Sequence, residues 1–354
     1  MRHVPFTLLA LAPLALISTP AAAALPVAWR QIVEPVQPFL EAVARRLAEQ
    51  VQAFDPEISA YAQYALTNQG KQLRPALVAL SGGTIGQPGD AHVTVAVVIE
   101  MVHLATLVHD DIMDEAEIRR RRPTLAANWG NDISVLLGDC LFAHALKLAA
   151  SFPTPVICRA VASATNTVCT GEILQTHRRL NFQFTREEYF KVLAMKTGEL
   201  FALSCDLGAL LSGATEAERT ALRDYGLALG TAYQVYDDCL DVFGSEAAAG
   251  KSLGTDLAGG KLTLPVLVVL ERGHAADQAR LREWLEKWRP HYHPRVLELL
   301  EKYDALAESR RVIHDHLDAA RHSLALLPKS ESRAALAALT GFLEEQTAAL
   351  GSHA

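Results

Sequence analysis

The 354-residue chain has no basic excess: 33 Lys and Arg stand against 40 Asp and Glu, a formal net charge of -7. General attraction to nucleic acid needs a basic face that neutralises phosphates, so that class of function is excluded and any basic site must be local. Cysteine is scarce, with Cys140, Cys158, Cys169, Cys205 and Cys239 making five in all. An odd number, widely spaced and set mostly in apolar helical patterns, supplies neither a disulfide framework nor a zinc site, and reads as buried thiols in a reducing compartment. No run alternates apolar and polar residues for a strand's length, so no sheet is expected. No segment repeats at a fixed period, which excludes solenoids and propellers. What is present is 50% hydrophobic and 21% charged residues, an ordinary globular balance that can bury one large core or two modest ones.

Charge is also missing near the start, where none follows Arg2 and His3 until Arg30. "FTLLALAPLALIS" followed by "TPAAAALP" has the apolar core and small-residue tail of a secretory signal. A membrane anchor and an extension upstream of the true start compete with that reading, and Pro13 and the short run weaken a full span. Residues 1–25 are therefore set apart as a hydrophobic N-terminal extension, and residues 26–354 are read as one domain.

From Pro26 onward the pattern is helical. Val36, Leu40, Val43, Leu47 and Val51 recur three or four apart on one stripe. Longer segments such as "VTVAVVIEMVHLATLVHDDIMDEAEI" and "RTALRDYGLALGTAYQVYDDCLDVF" are apolar nearly all round, as helices inside a bundle are. An all-α fold follows, a single large helical bundle.

Two acidic motifs stand out. Residues four apart share a helix face, so Asp110 and Asp114 project together with Asp111 beside them, and Asp237, Asp238 and Asp241 repeat the spacing. One such motif is ordinarily a solvated acidic face. Two copies, each closing an apolar run, point instead to carboxylates gathered in a cleft, where mutual repulsion calls for cations. Mg2+ suits oxygen ligands of this kind and bridges to substrate phosphates. Cations are also at hand: Lys71 and Arg74 in "GKQLRP", Arg119 and Arg120 after the first motif, Lys196 in "KTGE", and Lys251 and Lys261 in "GKSLGTDLAGGKLTLP". Each alone is an unremarkable surface charge, but together they suggest a pocket for two phosphorylated groups.

Two other motifs fail as sites. "GSEAAAGKS" places Gly244 one residue too far from Gly250 for a P-loop, and no strand precedes it. His314, Asp318 and His322 share a face that could bind metal, but a polar C-terminal helix explains them equally well.

The ordered set "GKQLRP", "LVHDDIMDEAEIRRRRPT", "LLGD", "GEILQ", "KTGEL", "YQVYDDCLDVFG" and "GKSLGTDLAGGKLTLP" resembles the trans-type isoprenyl (polyprenyl) diphosphate synthase family over roughly residues 30–350. The resemblance implies an isoprenoid-synthase bundle with a central apolar cavity, three Mg2+ per active site, and a homodimer. Asp110, Asp114 and Asp237 would be direct metal ligands, with Asp111, Asp238 and Asp241 supporting through waters. Arg119, Lys196 and Lys261 would hold an allylic diphosphate, with Lys251 closing over it. Lys71, Arg74, His103 and Arg120 would hold isopentenyl diphosphate, and Thr197 and Gln234 would line the reacting centre. The implied reaction is head-to-tail condensation of the two substrates to an all-trans polyprenyl diphosphate. Metals and cations would stabilise the leaving diphosphate, and apolar walls would shield the carbocation from water.

The chain departs from the family pattern at Gln69 and Gln72, which weakens the isopentenyl subsite slightly, and at Arg121, which is expected to pair with Glu117. Product length follows from the helix before Asp110. Thr106, Ala105 and Val102 occupy the path of a growing chain, and no Phe or Tyr blocks it, so a product of C30 to C40 is expected. The alternatives are a farnesyl or geranylgeranyl synthase and a non-catalytic subunit of a heteromeric synthase. A class I terpene cyclase lacks the second acidic motif and "GKQLRP", and a squalene-type synthase lacks the Lys71 and Arg74 arrangement. Cytosolic substrates outweigh the signal-like N-terminus, so the expectation is a cytoplasmic enzyme with peripheral membrane contact through its N-terminus or its product.

Overall fold

The computed structural model describes residues 27–67, 70–244 and 254–351. The N-terminal extension, Gln69 and Lys251 lie outside them. The helices are α1 (Val27–Val33), α2 (Gln37–Gln50), α3 (Ser59–Thr67), α4 (Leu73–Ile85), α5 (Asp90–Met113), α6 (Leu125–Trp129), α7 (Asn131–Ala149), α8 (Val156–His177) and α9 (Arg186–Leu193). There follow α10 (Glu199–Leu211), α11 (Glu216–Phe243), α12 (Thr255–Ala258), α13 (Leu264–Arg272), α14 (Ala275–Glu286), α15 (His293–Lys302), α16 (Ala305–Leu324) and α17 (Glu331–Ala348). A π-helical turn, Ala194–Gly198, joins α9 to α10.

The fold is all-α, as the pattern predicts, with one small addition. Ile118–Arg119 and Arg122–Pro123 (β1 and β2) form a minimal antiparallel hairpin. Its two turn residues, Arg120 and Arg121, have φ of 52° and 61°. Positive φ at both central positions matches the right-handed twist of a two-residue hairpin. Two-residue strands are too short for a sequence pattern to reveal.

Burial explains the arrangement. α10 is apolar all round and serves two cores: Phe201, Cys205 and Ala209 pack toward α4, α11, α13 and α16, while Leu200, Leu203 and Leu207 pack toward α2, α5, α7 and α8. The stripe read on α2 is buried at Leu40, Val43 and Leu47. α11 begins at a capping box in which Thr215 Oγ1 accepts from Glu218 N and Glu218 Oε2 accepts from Thr215 N. It can lie close against α10 because Gly226 has no side chain: a Cβ there would sit 2.6 Å from the Phe201 carbonyl oxygen. α5 is long and apolar enough to cross a membrane, yet 72% of its most apolar window is buried in the bundle.

The cysteines correct one expectation. All five are free thiols, but only Cys205 and Cys239 are buried, while Cys140 and Cys169 are exposed. Cys140 lies on α7 and Cys169 on α8, the latter near the cleft carboxylates Asp110 and Glu172, so apolar helical composition there does not mean burial.

Candidate active site

α5 and α11 deliver the two acidic motifs at their C-terminal ends, with Asp114 capping α5 and Asp241 in the last turn of α11. Lys261, just beyond α12, joins them. Its Nζ lies 3.1 Å from Asp114 and 3.3 Å from Asp256, whose backbone N–H donates to Asp241 Oδ2 at 3.0 Å. Burial would lower the Lys261 pKa, but Asp256 and Asp114 override it and raise it, keeping the ammonium charged.

The six aspartates divide by exposure. Asp111, Asp238 and Asp241 are 5%, 4% and 0% exposed and are held by protein groups. Asp111 accepts from Arg119 Nε at 2.5 Å. Asp238 accepts from Tyr189 Oη at 2.6 Å and from Gln234 Nε2 at 2.9 Å, and Gln234 in turn accepts from Thr197 Oγ1 at 2.7 Å. Asp241 fixes the start of α12 through Thr255 Oγ1 and the Asp256 N–H. Each of the three thus has a protein partner that fixes its carboxylate beside the cleft. Burial raises the Asp238 pKa, with Asp256 and Asp237 adding to it.

Asp110, Asp114 and Asp237 are the three less buried, and Asp110 and Asp114 face Lys196 and Lys261. Burial raises the Asp110 pKa, and Glu172 and Asp114 push the same way against Lys196. Asp114 is held low despite burial by Lys261, Lys196 and Arg179. Crowded carboxylates of this kind favour added positive charge. Among the described residues no three His, Cys, Asp or Glu side chains form a self-sufficient ligand set. The donors instead suit Mg2+ held by one or two carboxylates and completed by substrate phosphate oxygens.

Lys196 sits in the π-turn, an element that re-aims one turn of helix. It pairs with Glu172 and donates to Gln175 Oε1 at 2.9 Å. Gly171 makes this possible, since a Cβ there would lie 2.8 Å from the Lys196 backbone nitrogen. Asp110 and Glu172 raise the Lys196 pKa against the effect of burial.

A second cationic group lies on α4, α5 and the hairpin. The Arg74 guanidinium stacks over Phe201 at 5.0 Å, and its pKa is pushed down to about 10 by burial, opposed chiefly by Glu100. Arg120 packs against Gly70, where a Cβ would come within 2.7 Å of Nη2. Glu100 is 2% exposed and carries the charge facing both arginines. Burial and the nearby Arg74, Arg120 and Arg119 hold His103 well below its usual value, so the imidazole is neutral. Lys71 Nζ lies over Phe342 at 5.8 Å, with its pKa lowered by burial and raised by Asp237.

The chain-length positions differ from one another. Val102 and Ala105 are 1% and 0% exposed, packed with the core, while Thr106 is half-buried. His103, Thr106, Leu107 and Asp110 are all half-buried, and their spacing makes them one face of an otherwise buried helix. That face borders the open side of α5.

One expectation is corrected here. Arg121 is exposed and makes no ion pair with Glu117 among the described residues, because its positive φ at the hairpin tip turns it to solvent. His314 forms surface pairs with Asp318 at 3.3 Å and Glu344 at 3.0 Å, as a polar C-terminal helix would. Residues not singled out from the sequence are Glu100, Glu172, Gln175, Tyr189, Asp256 and Arg179. Glu172 and Gln175 share a helix face within "GEILQ", a signal that was there to read; the others depend on distant elements meeting.

Comparisons place this geometry. The family model described as Polyprenyl synthetase matches residues 55–302. A short chain isoprenyl diphosphate synthase of Methanothermobacter thermautotrophicus is 34% identical over 322 residues, covering 89% of this chain and 99% of that protein. A nonaprenyl diphosphate synthase of Mycobacterium tuberculosis is 39% identical over 282 residues, 77% and 82% of the respective chains. A polyprenyl synthase from Caulobacter crescentus, solved with calcium and isoprenyl diphosphate, superposes with a TM-score of 0.85 at 31% identity, covering 89% and 97%. With the motifs, their geometry and these likenesses in agreement, the chain belongs to the polyprenyl synthetase family and is a prenyltransferase.

Proposed function

We propose that the protein condenses isopentenyl diphosphate head to tail with an allylic diphosphate, releasing diphosphate and building an all-trans polyprenyl chain. The observation that carries this reading is the presence of two separate cation groups around the acidic motifs. Lys196 and Lys261 face Asp110 and Asp114, whereas Arg74 and Arg120 gather around Glu100 and His103, with Lys71 on the Asp237 side. Two diphosphates thus find two sites of matching charge.

Asp110, Asp114 and Asp237 would hold Mg2+, which supplies the positive charge that draws electrons from the breaking carbon–oxygen bond. Lys196 and Lys261 place further charge where the leaving diphosphate develops it. Arg74 and Arg120 orient the second substrate through its own diphosphate, in a geometry that arginine forks match bidentately. His103 can donate a hydrogen bond there. The Thr197–Gln234–Asp238–Tyr189 chain fixes the polar edge of the reacting centre. Three ions per site follow from the family resemblance, as does closure by Lys251.

A product of C30 to C40 is supported by α5, which carries no Phe, Tyr or Trp. A homodimer is supported by α7 and α8, where Leu136 and Ile173 are 62% and 67% exposed, with Val135 next to Leu136 also exposed. A cytoplasmic site of action rests on where both substrates are made.

The test uses the single purified chain with farnesyl diphosphate, isopentenyl diphosphate and Mg2+. Diphosphate release and a prenyl product longer than C20 are expected. No turnover without a second polypeptide would favour the subunit reading instead, and a product stopping at C15 or C20 would refute the chain length.

A further inference from the structure

Arg179 has no role in the motif assignments, yet the fold brings it to the first acidic motif from 65 residues away. It lies in the turn after α8, and its Nη2 donates to Asp114 Oδ1 at 3.2 Å. Lys261 Nζ spans both oxygens of the same carboxylate, 3.1 Å from Oδ1 and 3.2 Å from Oδ2. The two cations arrive as a unit. Leu180 N–H donates to the Gly260 carbonyl at 2.9 Å, tying the turn that carries Arg179 to the turn that carries Lys261. Gly260 has a φ of 69°, and a Cβ there would strike Leu180 at 2.8 Å, so glycine permits this contact.

Arg179 also has unused capacity. Its side chain is 27% exposed, while its Nε is buried and has no hydrogen-bond partner. A buried donor left unpaired is costly, and a guanidinium offers five N–H groups in a fork that fits phosphate oxygens. Resting on the active-site reading above, we propose that Arg179 is a further binding residue for the allylic diphosphate, held on Asp114 in the empty site. With Asp114 engaged in holding metal, Arg179 would be released to bind the diphosphate oxygens beside it. Lys261 makes the same exchange. Arg179 thereby lowers metal affinity before substrate arrives and raises diphosphate affinity afterwards, which favours joint binding of the two.

Isothermal titration of the full-length chain tests this with inorganic diphosphate in Mg2+, and separately with Mg2+ alone. Arg179→Gln is expected to weaken diphosphate binding about tenfold, the scale of one lost charge-assisted hydrogen bond. Arg179→Lys should recover much of that loss, and Arg178→Gln, whose side chain pairs with Glu188 at 2.8 Å, should bind as the wild type does. Mg2+ alone should bind Arg179→Gln as tightly as wild type or more tightly, because a competitor for Asp114 is gone. In turnover, the KM for the allylic substrate should rise while that for isopentenyl diphosphate stays unchanged. Undiminished diphosphate affinity in Arg179→Gln would overturn the inference. So would an equal loss in Mg2+ alone, which would make Arg179 only a support for Asp114. If the wild type itself fails to bind diphosphate with Mg2+, the active-site reading falls, and this inference with it.

Discussion

Replacing Thr106 with Phe should shorten the product, whereas replacing its neighbour Ala105 should chiefly cost stability. Thr106 lies four residues before Asp110, about 6 Å up the helix, on the half-buried face that continues to Asp110. An extended five-carbon unit spans about 5 Å, close to one helical turn of about 5.4 Å. A phenyl ring at Thr106 therefore meets the growing tail after one or two units and should stop products near C15 or C20. Ala105 is 0% exposed in the core formed by α2, α5 and α7. A ring forced in there overpacks it, at a cost of about 1–3 kcal/mol. Products are compared by chromatography after dephosphorylation, and stability by denaturant midpoints. Shortening by Ala105→Phe but not by Thr106→Phe would mean that the chain runs along the other side of α5. No shortening by either would remove α5 from the product path.

Gly171→Ala should reduce turnover strongly while leaving the second cation group intact, because a methyl 2.8 Å from the Lys196 nitrogen must push the π-turn away. Separate KM values for the two substrates check this, with the allylic one expected to rise. Glu308 is gripped by Arg311, Arg186 and Arg272, and these hold its carboxyl well below the usual range. Its contribution is present above the ordinary glutamate pKa and is lost as pH falls through that value toward the folded one. Glu308→Gln should therefore cost about 2 kcal/mol at pH 7, discounted because the arginines are partly solvated, and less at pH 3. Urea midpoints at both pH values measure the difference. Leu136→Glu combined with Ile173→Glu should convert the proposed dimer to a monomer by light scattering; a wild-type monomer, or an unchanged mass in the variant, would refute an interface on these faces.

The acidic motifs, the all-α class and the apolar stripe on α2 were legible from the sequence because each depends on spacing along one helix. Spacing alone did not divide the aspartates; only the family resemblance implied a division. What spacing could not show is that Asp110 faces Lys196 while Asp241 anchors α12. The four arginines from 119 to 122 likewise read as one charge run, but the hairpin separates them. Arg119 goes to Asp111, Arg120 to the Gly70 side, Arg121 to solvent and Arg122 over the Tyr64 ring at 4.1 Å.

Local periodicity and charge thus determined which residues could perform the chemistry, since a helix fixes its own faces by geometry alone. Tertiary structure decided which of them face the cleft, which neutralise one another, and that Arg179 and Lys261 meet at one carboxylate. Those outcomes depend on contacts between elements tens of residues apart, and burial and electrostatic pairing there are set only when the helices pack.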